Sequence, residues 1–218
     1  MKLYNKNLKK LINANIYSKE MEHDACGVGF VASIEGKKTR KIVEYGINAL
    51  KAVWHRGAVD ADGKTGDGAG IHLEIPSDFF TEKIELSGHV HNNSEICAGM
   101  VFLPKDDYPA QEKSKSIVET ELTANNFYIY GWRQVPVNTK VLGSRAEFTR
   151  PEISQVIFRS NNKKLINKEL ERELFAVRKK IEKVSLEMQL RDFYICSFSS
   201  KSIIYKGMFL AEALSDFY

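Results

Sequence analysis

Cys26 stands at a border. The run "MEHDACGVGFVASIEG", from Met21, places Glu22, His23 and Asp24 just before Cys26, then two glycines and an apolar stretch. Most free cysteines are small buried hydrophobes, and the local sequence leaves that reading standing. The chemical reading needs a way to ionise the thiol, whose unperturbed pKa of about 8.5 keeps it mostly protonated at neutral pH. No His–Asp pair lies nearby in sequence to serve as base. Cleavage between Ala25 and Cys26 would supply one, because the new α-amine, titrating at about 8, would share a residue with the thiol. The small Ala25 before the cut and the flexible Gly27 after it suit such processing.

Other candidates fail on spacing. "GKT" at 63–65 suggests a phosphate loop, but the glycine required five positions earlier is Ala58, and the segment follows a helix pattern rather than a strand. "GVGFVA" at 27–32 fits a dinucleotide fingerprint in letters only, since it follows a polar leader and precedes a strand pattern. His23, Cys26 and His55 match no compact zinc spacing, and no metal site is expected. Cys26, Cys97 and Cys196 are odd in number and far apart, which excludes a disulfide framework and fits reduced thiols in a cytoplasmic protein. The net charge of +4, with Lys and Glu interspersed, gives no support to nucleic-acid binding. No run approaches the roughly 18 apolar residues of a membrane span, and the Lys- and Asn-rich start is a poor secretory signal.

The elements that must position this chemistry follow from hydrophobic period. Residues 1–25 read as a leader or loosely held arm. Strands are expected at 27–34, 71–75, 97–103, 127–135 and 151–159, with helices at 40–55, 110–126 and 162–189. Leu170, Leu174, Val177, Ile181 and Val184 form the buried stripe of the long helix. The glycine-rich run 56–70 reads as a loop, and 193–207 as a hairpin turning at Ser199–Lys201. An amphipathic fragment, "MFLAEALSDFY", closes the sequence. Frequent strands and fewer, longer helices point to an α+β or layered domain. The unclosed apolar end raises the expectation that more protein follows.

Three strings carry a resemblance: "HDACGVGFVA", "HRGAVDADGKTGDGAGIHLEIPSDFF" and "IIYKGMFLAEALSDFY". They resemble the start of glutamate synthase large chains, a glutamine amidotransferase region of the N-terminal-nucleophile type (class II), and the resemblance runs from His23 onward. It implies a four-layer αββα sandwich, incomplete at the C-terminus, over 26–218, preceded by a propeptide at 1–25. It implies that Cys26 attacks the side-chain amide of glutamine, with its own α-amine as base, through a γ-glutamyl thioester. Arg56, in "HRG", matches the position that pairs with the glutamine α-carboxylate, a role a planar guanidinium suits; the bland alternative is an unpartnered surface arginine. "GDGAG" at 66–70 then reads as backbone scaffolding. No cofactor is expected in this chain. In the whole enzyme the released ammonia would meet 2-oxoglutarate in a synthase region holding FMN and an iron–sulfur cluster, with a small electron-donating subunit as a further possible partner. The family's oxyanion-hole Asn-Gly pair has no counterpart here, so it is expected beyond Tyr218, and loss of such a donor costs about 10²–10³ in rate. The competing expectation is an inactive truncated or split-gene product that acts only by docking to a partner chain.

Overall fold

The computed structural model describes residues 2–14, 27–53, 58–91 and 94–218. Apolar alternation builds the larger sheet. Strands β2 (Cys97–Leu103), β3 (Phe127–Gln134), β4 (Glu152–Ser160) and β5 (Tyr194–Ser199) pair antiparallel in the order β3-β4-β2-β5. Because successive side chains point to opposite faces, Cys97, Val101, Val156 and Phe158 meet helices α4 (Tyr108–Ala124) and α6 (Asn167–Glu187) on one side. Ala98, Met100, Ile153 and Ile157 meet the smaller sheet on the other. Leu170, Leu174, Val177 and Ile181 are fully buried on α6, as the helical stripe requires. Val184 is only partly buried at its end.

The smaller sheet is a ribbon of β1 (Thr65–Glu74) and β6 (Ser202–Phe209). Ile203, Phe209 and, in part, Ile71 and Leu73 close over the larger sheet, so two antiparallel sheets lie face to face with helices packed on the larger one. This is the α+β arrangement expected from the sequence. Helix α2 (Arg40–Ala52) lies against β1, where Gly46 lets Ile71 approach. Helix α3 (Ser77–Leu86) follows Pro76 and buries Phe80 and Ile84, one turn apart, in the inter-sheet core.

Three expectations change. The strand expected at 27–34 is not formed: Gly27–Ser33 pairs with no strand among the described residues, and Val28 and Phe30 stand about 90% exposed. The glycine-rich stretch is not all loop, since β1 starts at Thr65 rather than at residue 71. β5 and β6 do not form a hairpin ladder; the chain leaves one sheet at Ser199 and enters the other at Ser202. Helix α1 (Lys2–Asn13) lies within the segment expected to be a leader. The expected boundary between residues 25 and 26 lies outside the described residues, as does the end of the helix expected over 40–55.

Candidate active site

Cys26 and Arg56 both lie outside the described residues, as do His23 and His55. The structure does describe the segments that leave the two candidate site residues. Gly27–Ser33 runs past α2, where a Cβ on Gly29 would stand 3.8 Å from the Ala49 Cβ. Ala58–Asp67 is a tight antiparallel hairpin: the Asp60 amide donates to the Thr65 carbonyl at 2.8 Å, and the Asp67 amide to the Ala58 carbonyl at 3.3 Å. Its turn needs Gly63, whose φ of 70° is the left-handed conformation that side chains disfavour. Beyond the turn, the "GDGAG" glycines allow β1 to close on β6. A Cβ on Gly66 would stand 2.8 Å from the Phe209 carbonyl carbon, and one on Gly70 2.8 Å from the Lys206 Cβ.

Two aspartates in this hairpin reach a distant element, α5 (Ser144–Thr149). Asp60 pairs with the Arg145 guanidinium at 2.9 Å. Asp62 collects the denser set: Oδ1 accepts from the amides of Lys64 (3.0 Å) and Thr65 (2.7 Å), and Oδ2 from the Thr65 hydroxyl (2.6 Å) and the Arg145 amide (3.3 Å). The Thr65 hydroxyl bond, followed by the Thr65 and Lys64 amides, holds the Asp62 carboxyl well below the usual carboxylate range; the Arg145 amide adds to this against a small desolvation effect. Helix α5 is anchored in turn by Glu147, whose carboxylate takes Lys105 at 2.9 Å and Arg150 at 3.1 Å. Desolvation pushes the Glu147 carboxyl up, but those two hydrogen bonds and charges outweigh it and leave it lowered.

Sequence reasoning missed Asp60, Asp62, Thr65, Gly143 and Arg145. Half of the signal was present: Asp-Gly-Lys-Thr is a turn in which an aspartate bonds backbone amides two and three residues on. The α5 half is more than 80 residues away and carries no local signature.

The other thiols are structural. Burial pushes both the Cys97 and the Cys196 thiols up, which disfavours their ionised forms. A cleft of about 860 Å³ opens at the start of α6, lined by Asn167, Lys168, Glu171, Arg172 and Lys201 among others. Of its acidic groups, Glu171 is already engaged, taking Ser199, the Ser200 amide and the Ser200 hydroxyl. Among the described residues no group of three or more His, Cys, Asp or Glu could hold a metal ion, and no helix is long and apolar enough to cross a membrane.

Two facing antiparallel sheets, one of them a glycine-tightened ribbon, form the framework of this α+β domain. The chain belongs to the class-II glutamine amidotransferases, whose family pattern matches residues 26–218. More particularly, it is similar to glutamate synthases. It is 55% identical over 212 residues to the NADPH glutamate synthase large chain of Azospirillum brasilense, an alignment covering 97% of this chain and 14% of that protein. It is 41% identical over 204 residues to the ferredoxin-dependent glutamate synthase of Antithamnion sp., covering 90% and 13%. The chloroplastic ferredoxin-dependent glutamate synthase of Spinacia oleracea is 40% identical over 199 residues, covering 90% and 12%. The chain thus spans 12–14% of the length of these relatives.

Proposed function

We propose that this domain is a glutaminase supplying ammonia within a glutamate synthase. Residues 1–25 are removed and Cys26 becomes the N-terminal nucleophile. The neighbouring α-amine takes the thiol proton, the thiolate attacks the side-chain amide carbon of glutamine, and the ammonium so formed returns the proton to the departing nitrogen, so that ammonia leaves as a γ-glutamyl thioester forms. Water then releases glutamate. Arg56 holds the glutamine α-carboxylate by a two-point ion pair. The ammonia passes to a synthase region outside these residues, where FMN and an iron–sulfur cluster would support its reductive addition to 2-oxoglutarate. The partners are the remainder of a large chain and a small electron-donating subunit, in the cytoplasm.

The observation that carries this reading is where the family match begins: at Cys26, the residue that the amine-base mechanism requires at the N-terminus. Intact-mass measurement of the protein purified from its natural polypeptide tests it. The expected mass lacks residues 1–25, and Cys26→Ala abolishes glutamine hydrolysis. Hydrolysis by a protein that retains the leader, or by the Ala variant, rejects the mechanism.

A further inference from the structure

We propose that His89, His91 and Tyr130 form a binding site for one borderline divalent cation, copper(II) or zinc(II) in type, where the segment leaving α3 meets the edge strand β3.

Burial alternates along that segment. His89 and His91 are half-buried and Val90 between them is 77% exposed, so both imidazoles turn to the same, inward side. There they meet the tyrosines of β3, the outermost strand of the larger sheet. Both pack edge-on against one ring, Tyr130, with centroids 5.7 Å away for His89 and 6.5 Å for His91.

Two heteroatoms on these rings lack a partner among the described residues: His91 Nδ1 and the Tyr130 hydroxyl, both buried. Tyr130 as a whole is only 5% exposed. Buried polar side-chain atoms are nearly always satisfied, so two bare ones on adjoining rings call for a shared partner. His89 is prepared in another way. Its Nδ1 lies 3.0 Å from the Tyr128 hydroxyl. With the phenol oxygen accepting from Nδ1–H, the lone pair falls on Nε2, and an outer partner of this kind orients a ligating imidazole. The spacing fits one ion. A cation held tetrahedrally, at about 2.0–2.1 Å from an imidazole nitrogen and about 2 Å from a phenolate oxygen, sets the two ring centroids about 6 Å apart. The observed separations bracket that value. Two nitrogens and a phenolate suit copper(II) or zinc(II), whereas calcium and magnesium take oxygen alone. The third donor is a phenol, which is why no triad of His, Cys, Asp or Glu marks the place among the described residues. The nearby Arg159 guanidinium stacks on Tyr128 at 4.7 Å and is tethered to Asn161 at 2.8 Å. On binding, the Tyr130 hydroxyl proton passes to solvent and water completes the shell. The ion staples the segment after α3 to the edge of the larger sheet.

Copper(II) and zinc(II) are dialysed separately against the complete natural polypeptide carrying Cys26→Ala, which removes a competing thiol. Bound metal is counted, and copper ligation is read by paramagnetic resonance. One equivalent more than a His89→Ala/His91→Ala double variant retains is expected, with hyperfine structure from two nitrogens. His89→Ala, His91→Ala and Tyr130→Phe each weaken affinity at least about tenfold, and Tyr128→Phe about tenfold. Affinity rises with pH, because binding releases a proton. His72→Ala, which removes the exposed histidine of β1, changes nothing. Melting temperatures without metal show which variants fold, and Tyr130→Phe, which keeps the ring, carries the test should a histidine variant fail. The absence of an added equivalent, or one that survives His91→Ala or Tyr130→Phe undiminished, overturns the proposal.

Discussion

Replacing Gln155 by Leu cuts a polar strap between the two sheets. Gln155 lies on β4 with no exposed surface. Its Oε1 accepts from Arg133 Nη1 on β3 at 2.9 Å, and its Nε2 donates to the Tyr205 hydroxyl on β6 at 3.1 Å. Burial raises the Tyr205 phenol above its ordinary value, against the Gln155 bond that lowers it, which marks a hydroxyl already stripped of water. Leu keeps the approximate volume and removes both bonds. Loss of a bond to a charged group costs about 1.5–3 kcal/mol and of a neutral one about 0.5–1.5 kcal/mol. Arg133 is half-buried and keeps its stacking over Phe79 at 5.2 Å, so it recovers part of its loss from water. The net expectation is about 2–3 kcal/mol, a fall in melting temperature of roughly 5–10 °C at this chain length. Adding Tyr205→Phe to the Leu variant removes the orphaned hydroxyl. The double variant is therefore expected to be less destabilised than the sum of the singles, by about 1 kcal/mol. Urea unfolding followed by circular dichroism measures all four corners of the cycle. A Gln155→Leu effect within about 0.5 kcal/mol, or strict additivity with Tyr205→Phe, would refute the strap.

Three further outcomes follow from the same geometry. Gly66→Ala forces a Cβ to within 2.8 Å of the Phe209 carbonyl and is expected to destabilise by about 1–3 kcal/mol, whereas Gly29→Ala, in ordinary contact at 3.8 Å, is near neutral; equal denaturation midpoints would show that β1 and β6 are not held by this approach. The Asp62 carboxyl, bound most strongly by Thr65, is lowered on folding, so its stabilisation is fully present above the ordinary carboxylate range of about 4 and is lost as pH falls below it. Asp62→Asn therefore flattens the acid limb of the stability–pH curve, and an unchanged limb would contradict that assignment. A thiol reagent at pH about 8 is expected to label Cys26 quickly, and Cys97 and Cys196 only after unfolding, as read by peptide mass; fast native labelling of Cys97 would contradict its burial.

Where a periodic pattern repeats, the chain was readable in advance. β2 occupies the expected 97–103, because an apolar run bounded by Pro104 is buried on both faces. Four residues of the α6 stripe are buried as spaced. Helix α3 was not readable: only Phe80 and Ile84 of its ten residues are buried, too few to establish a period. The exchange between β5 and β6 was hidden for a different reason. Alternation tells which residues face inward, not which strand lies alongside. The turn residues decide that here, with Ser199 and Ser200 bound to Glu171 of α6, Lys201 to Glu95, and the Ile204 amide donating to the Ser197 hydroxyl. These side-chain bonds hold the corner open and send β6 across to β1.

The candidate site divides along the same line. Cys26 and Arg56 stand out in the sequence because nucleophile chemistry and carboxylate recognition restrict residue type, and a restricted type inside a long motif is visible in one dimension; both lie outside the described residues. Asp62 was half legible. Its turn is local, so Asp-Gly-Lys-Thr announces it; its other oxygen serves Arg145, 83 residues away, and nothing in the spelling of either segment names the other. Gly143 shows the asymmetry most plainly. In sequence it is a glycine before a short helix, yet in the fold it is the position where any Cβ would displace Asp62. A residue whose role is to leave room for a distant carboxylate has no chemistry of its own to betray it, so its function can be read only once the two segments are together. Pairing Gly143→Ala with Asp62→Asn tests that meeting: one variant removes the bond, the other removes the space for it, and a double variant less destabilised in urea unfolding than the sum of the singles locates the effect there, whereas strict additivity refutes it.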